Sequence, residues 1–185
     1  MKKLSLILIC LLAGAFFLGC EPKPPFPPDL PVVTPSPDDP NLMICDSTVP
    51  RPDRIVVFDA GSERTIEPDS EEFEDIWLAV HKIANGGDVD GLDCILTNFR
   101  VEEYKKTDPG IEFWYDHTYT LEKTSFFFNG MFFEFDPTYL VLSYFTVDQK
   151  GNPPLPDADG FVCYSSCYGV YAPDLTEDLK MLLFS

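Results

Sequence analysis

The chain is short of positive charge and of groups that do chemistry. Thirteen lysines and arginines face 31 aspartates and glutamates over 185 residues, a formal net charge of −18. No run of Lys or Arg offsets that balance, so nucleic acid is excluded as a partner and anionic headgroups are repelled. The acidic excess favours solubility, cation binding or a basic partner. Histidine occurs only twice, at His81 and His117. A Gly-x-Ser-x-Gly elbow, a His-x-x-x-His pair and a glycine-rich phosphate loop are all missing. An enzyme on this chain would have to use scattered carboxylates, with His117 in a turn beside Asp116. The apolar stretch Leu4 to Phe17 is too short to span a bilayer comfortably.

That stretch is instead the core of a signal peptide. Lys2 and Lys3 precede it, and "FLGC" (Phe17 to Cys20) closes it. The closing tetrapeptide resembles the lipobox of bacterial lipoproteins, with small Gly19 at the cut and Phe17 where Leu is usual. The resemblance covers the first twenty residues. It implies that residues 1–19 are removed and that Cys20 carries a diacylglycerol and an N-acyl chain such as palmitate. Two or more buried chains hold a protein on a bilayer stably. The membrane, through the lipid on Cys20, is then one partner, and the chain sits on the extracytoplasmic face of the cell envelope. Losing Lys2 and Lys3 leaves eleven basic residues against 31 acidic ones, a mature charge of −20.

Nine of the eighteen prolines lie between Glu21 and Met43. Proline fixes φ and donates no hydrogen bond. The stretch Cys20–Ile44 is therefore expected to be an extended stalk, with a reach of roughly 75 Å. Residues 45–185 are long enough for one domain with its own core.

Within that domain "RIVVFD" and "ERTIE" read as a hairpin. Residues 68–87 read as a helix capped by Asp69 or Ser70, with Phe73, Ile76, Trp77, Val80, Ile83 and Ala84 on one face and His81 on its flank. Residues 92–105 fit helix or strand. "IEFWYD" and "TYTLEK" read as two strands. Asn129-Gly130 in "SFFFNGMFFEF" is the preferred two-residue hairpin turn. It puts Phe126, Phe128, Met131, Phe133 and Phe135 on one face, and Ser125, Phe127, Phe132 and Glu134 on the other. Phe127 and Phe132 are thus a candidate surface contact. "TYLVLSYFTVD" and "FVCY" follow as strands, and a helix capped by Asp174 ends the chain. The expected fold is α+β: an antiparallel meander sheet with one long amphipathic helix and a short C-terminal helix. A hairpin followed by such a helix is similar to the opening of many small exported domains of unknown function in Gram-positive bacteria.

Four cysteines belong to the domain: Cys45, Cys94, Cys163 and Cys167. Outside the cytosol an even count favours disulfides. The preferred pairing is Cys163–Cys167 with Cys45–Cys94, and its rival is Cys94–Cys163 with Cys45–Cys167. The C-x-x-C spacing usual for zinc is absent.

"DVDGLDC" (Asp88 to Cys94) and "DADGFVC" (Asp157 to Cys163) share a skeleton. A calcium loop of the EF-hand type needs oxygens at positions 1, 3, 5 and 12 around a glycine at 6. Aligned on Gly91, Asp88 and Asp90 take 3 and 5, but Gly86 and Thr97 take 1 and 12. Aligned on Gly160, Asp157 and Asp159 take 3 and 5, but Leu155 and Ser166 take 1 and 12. Asp93 adds one carboxylate to the first copy. The two stretches are better acidic turns than calcium loops, with a weak Ca²⁺ site at Asp88, Asp90, Asp93, Asp157 and Asp159 as the alternative. The functional expectation is a membrane-anchored extracytoplasmic binding or scaffold domain, its partner an envelope protein or wall component. The alternatives are a weakly calcium-modulated domain and, third, a carboxylate-based enzyme.

Overall fold

The computed structural model describes residues 30–122 and 124–184, leaving aside the side chains of residues 91–94 and 165–167. The stretch read as a signal peptide, Cys20 and the first part of the proline-rich stretch lie outside the described residues. One compact unit spans Pro31–Ser185.

Nine strands and three helices follow in the order β1 (Val33–Pro35), β2 (Leu42–Cys45), β3 (Arg54–Asp59), β4 (Ser62–Ile66), α1 (Glu71–Gly86), β5 (Asp88–Thr97), α2 (Asn98–Thr107), β6 (Gly110–Leu121), β7 (Phe127–Phe135), β8 (Tyr139–Val147), β9 (Cys163–Tyr171) and α3 (Pro173–Phe184). The strands form one sheet in the order β1-β2-β6-β7-β8-β9-β5, with β3 also on β6 and β4 on β3. β2 runs parallel to β6 and the other ladders are antiparallel.

This corrects the expected class. The protein is mostly β, a mixed nine-stranded half-barrel with three short helices, not an α+β meander built on a long amphipathic helix. Two features of the chain produce the difference. The first is β6, whose first half pairs with β3 and second half with β2, so one strand that reads as two carries two neighbours on one side. The second is β7. Asn129-Gly130 does not turn the chain back; it lies inside the strand, where the register against β8 slips by one residue between Phe128 and Met131. An extra residue of this kind bends a strand and increases its twist, which favours a curled sheet over a flat one. A one-residue bulge keeps Phe128 and Met131 on the same side, so the two faces read from the sequence are the faces found.

Two strands lie inside the stretch read as stalk. β1 is an edge strand, and Pro35 ends it, a place where the missing N–H breaks no ladder. β2 then enters the sheet beside β6, with Cys45 and Leu42 buried.

One face of the sheet carries the main core. Phe113, Phe128, Met131, Phe133 and Leu142 pack there against α1 and α3. Ser70 caps α1, accepting from the Phe73 amide at 3.2 Å. His81, expected on a flank, is 3 % exposed. α3 begins at Pro173 rather than after an Asp174 cap, with proline at the first helical position, where its missing N–H costs nothing. The opposite face carries a smaller core under α2: Phe58, Leu96, Val101, Phe132 and Phe145.

Candidate functional site

The α1 face is not filled to its end. A cavity of about 250 Å³ opens where the C-terminal end of α1 meets the sheet. Leu142 and Tyr144 of β8 and Val170 of β9 form its floor, Ala84 of α1 and Phe126 its walls, and Val89 and Tyr168 its rim. The floor residues follow from strand alternation, which sends Leu142, Tyr144 and Val170 to one side. Val89 is 60 % exposed, so the rim meets solvent.

Polar groups at the cavity are hydroxyls. Thr48 and Thr124 line it beside the phenols of Tyr144 and Tyr168. The Tyr144 hydroxyl donates to the Thr48 carbonyl at 3.1 Å. Burial pushes its phenol far above the ordinary range, so it stays protonated and keeps that bond. The segment carrying Thr48 is held on both sides. The Tyr115 hydroxyl donates to the Pro50 carbonyl at 3.1 Å, and His81 Nδ1 lies 3.3 Å from the Val49 carbonyl. Phe126 packs on Tyr144 with ring centroids 5.0 Å apart. Among the described residues that line the cavity there is no carboxylate, imidazole, thiol or amine. Such a lining binds an apolar group and offers a few hydroxyls to orient it; it supplies no acid, base or nucleophile.

The residues singled out in the sequence lie elsewhere. Phe132 is fully buried under α2, stacked on Phe58 with centroids 5.5 Å apart and planes 8° from parallel. It is core, not a surface contact, and Phe127 is half-buried opposite Val147. Their shared face is polar enough to read as exposed, but α2 covers it. Two acids on that face explain how. Glu134, nearly buried, accepts from Arg100 at 3.0 and 2.6 Å, and Glu112 lies 2.9 Å from Lys105, which also reaches Glu63 at 3.1 Å. Both cations belong to α2 and clamp it to the sheet. An acid inside an apolar run, as in "FFEF", was the available signal for such a clamp.

The shared Asp-x-Asp-Gly skeleton takes two different forms. The second copy is a turn: Asp157 Oδ1 accepts from the amides of Asp159 and Phe161, both at 2.9 Å, and Gly160 has φ +84°. The first copy is not a turn but the opening of β5, where Asp88 pairs with Tyr171 and Asp90 with Gly169. β9 leaves the Asp157 turn at the end where Thr97 pairs with Cys163. The two copies therefore stand at opposite ends of the β5–β9 ladder, about 30 Å apart along a strand of this length. Asp88 and Asp90 cannot share a cation with Asp157 and Asp159. The Asp93 side chain lies outside the described residues. Among the described residues no three His, Cys, Asp or Glu side chains converge as metal ligands.

Cys45 and Cys163 are free thiols, the first buried and the second exposed; the side chains of Cys94 and Cys167 lie outside the described residues. Both pairings expected from the sequence need Cys45 and Cys163 bonded, and neither bond is present. Burial, the larger effect, and nearby Asp46 raise the Cys45 thiol above its ordinary range, against a lowering hydrogen bond from the Ser47 backbone.

His117 lines a separate, open polar cleft with Asp39, Asp116, Asn129 and Lys150. Among the described residues no helix is long and apolar enough to cross a membrane. No protein-family model, no curated protein and no solved structure matches the chain.

The cavity escaped sequence reasoning because it is made by curvature. Its lining comes from four strands, a helix end and two loops, and no two lining segments are joined by a local pattern.

Proposed function

We propose that this chain is a lipid-anchored, extracytoplasmic binding domain that takes a small, mainly apolar group into the cavity between α1 and the β8–β9 floor. The observation that carries the reading is the cavity itself: an apolar floor, a rim open to solvent, oriented hydroxyls and, among the described residues that line it, no reactive group. Volumes near this one hold a single ring or a short branched chain rather than a large cofactor. An envelope protein or wall component that presents such a group is the partner class. On this reading Cys20 is the anchor, and the spacer is shorter than the prolines suggest. From Cys20 to Val32, before the first strand, an extended chain reaches roughly 40 Å.

Methyl NMR during titration with toluene tests the site. Leu142 and Val170 should shift saturably. Val89→Trp, at the exposed rim, should abolish the shifts while leaving the rest of the spectrum folded. Unchanged Leu142 and Val170 methyls at saturating toluene would refute the cavity as a site. Separately, Cys20→Ser should move the protein from the membrane to the soluble fraction; continued membrane retention would refute the anchor.

A further inference from the structure

The sheet face that α2 covers stays open beyond the helix, over β3, β4 and β6. A cleft of about 430 Å³ lies there. Strand register builds it. Arg54 pairs with Trp114, and in the next row on that side Val56 stands between Thr65 and Glu112. Glu63 closes the end next to α2, where its carboxylate meets Lys105 at 3.1 Å. Phe113, between Glu112 and Trp114, belongs to the main core on the other side. The cleft and the cavity at the end of α1 therefore lie on opposite faces of the sheet and share no lining residue.

Trp114 is the wall of this cleft, and it is held in place. Phe145 of β8 stacks on one face of the indole, and Tyr164 packs edge-on against Phe145 with centroids 5.0 Å apart. The indole N–H donates to Glu112 at 3.1 Å. β8 and β3 lie on opposite sides of β6, so the indole face turned from Phe145 looks over β3 into the cleft. The Arg54 guanidinium stands 5.7 Å from the ring centroid. Among the described residues it has no hydrogen bond or ion pair, in a chain with 31 acids. Glu112 is the opposite case. It is 4 % exposed yet borders the cleft, and Lys105 at 2.9 Å balances its charge.

We infer that this cleft binds one ring of a neutral saccharide. Two acids, Glu63 and Glu112, are matched by two cations, Arg54 and Lys105, so the cleft is neutral on a strongly negative molecule. An anionic ligand meets the two carboxylates and a cationic one meets the two basic groups, so neither charge is favoured. A hydroxyl both donates and accepts, whereas guanidinium only donates, carboxylate only accepts and Thr65 does either. A ring bearing several hydroxyls uses all of these at once. Its C–H face lies on the indole, whose π face is the negative side of its quadrupole. Arg54 is exposed, so it turns off the ring face and keeps its donors at the rim of the ligand. Hydrogen bonds to ionised partners are the stronger kind, which suits a site open to water.

The cleft does not depend on the cavity, so either can fail alone. The test follows the indole N–H signals of the isotope-labelled, purified chain by NMR, with cellotetraose, chitotetraose and mannotetraose as probes. The chain has two tryptophans, and Trp114→Phe removes the signal of interest and so assigns it. If that variant does not fold, through-space contacts to the Phe145 ring make the assignment. At least one sugar should move the Trp114 signal saturably. The Trp77 signal and the Leu142 and Val170 methyls, on the other face, should stay in place. Arg54→Ala, at an exposed position, should weaken that binding about tenfold, as the loss of a charge-assisted hydrogen bond does. Sodium acetate and tetramethylammonium chloride should give no saturable shift. A Trp114 signal unmoved by all three sugars up to their solubility limits, an unchanged affinity in Arg54→Ala, or saturable binding of either ion would overturn the assignment.

Discussion

Gly130 sits on β7 beneath a pair of stacked rings. Trp114 of β6 and Phe145 of β8, its neighbours on either side, meet with centroids 4.9 Å apart and planes 8° from parallel. A Cβ at position 130 would stand 2.8 Å from a Phe145 ring carbon and 3.0 Å from one of Trp114. The glycine is what lets two aromatic side chains close over the strand between them. Gly130→Ala should separate the rings and cost about 1–3 kcal/mol, the usual range for forcing atoms into a packed site. In urea unfolding the midpoint should fall with the slope unchanged; an unmoved midpoint would show that the rings tolerate the methyl. The same residue shows why the most pattern-like stretch in the chain misled. Asn-Gly is strong hairpin chemistry because both residues accept a positive φ. Here neither has one, and what Gly130 supplies is the missing Cβ that the rings on both flanking strands close over.

At the scale of elements, what could be read from the chain was set by how local the deciding forces are. β3 and β4 were legible because their turn is: Ala60 and Gly61 both have positive φ, 44° and 90°, as a tight hairpin of this type requires. α1 was legible in position, from its cap and its apolar spacing, although its length is that of a short helix. Residues 92–105 stayed ambiguous because both answers are true in turn. The strand runs to Thr97, whose hydroxyl then caps α2 by accepting from the Arg100 amide at 3.2 Å. β1, β2 and the first Asp-x-Asp-Gly copy are strands only because another strand lies beside them. No composition rule reveals that, and in β1 the proline content argues against it. The cavity belongs with these. Each of its lining residues was visible as a strand or helix residue, but their convergence depends on pairings distant in sequence.

At the scale of the molecule, buried phenols and the α2 clamp make stability sensitive to alkali. Burial, the largest cause in each case, raises Tyr104, Tyr115 and Tyr144 well above the ordinary range and pushes Tyr119 up to about 12. Burial lowers Lys105, but its bonds to Glu112 and Glu63 outweigh that and raise it overall. Unfolded phenols and lysines lose their protons at about pH 10. Between there and the folded values the native state binds more protons than the unfolded one, so stability falls as pH rises. The contribution is complete below about pH 9 and is lost through about pH 12. The urea midpoint should be level from about pH 7 to 9 and drop steeply above 10; equal midpoints at about pH 8 and 11 would contradict this. The sheet also has an open end. β5 is its last strand and offers ten residues of backbone with a neighbour on one side only. A bare edge of that length is a template on which a second copy can add a strand. Asp88 and Asp90 place fixed negative charge along it, on a molecule already strongly negative. Two such edges brought together would have to set like charges side by side. The aspartates weighed as metal ligands thus act as guards against self-stacking, at the place where one sheet could otherwise be extended by another.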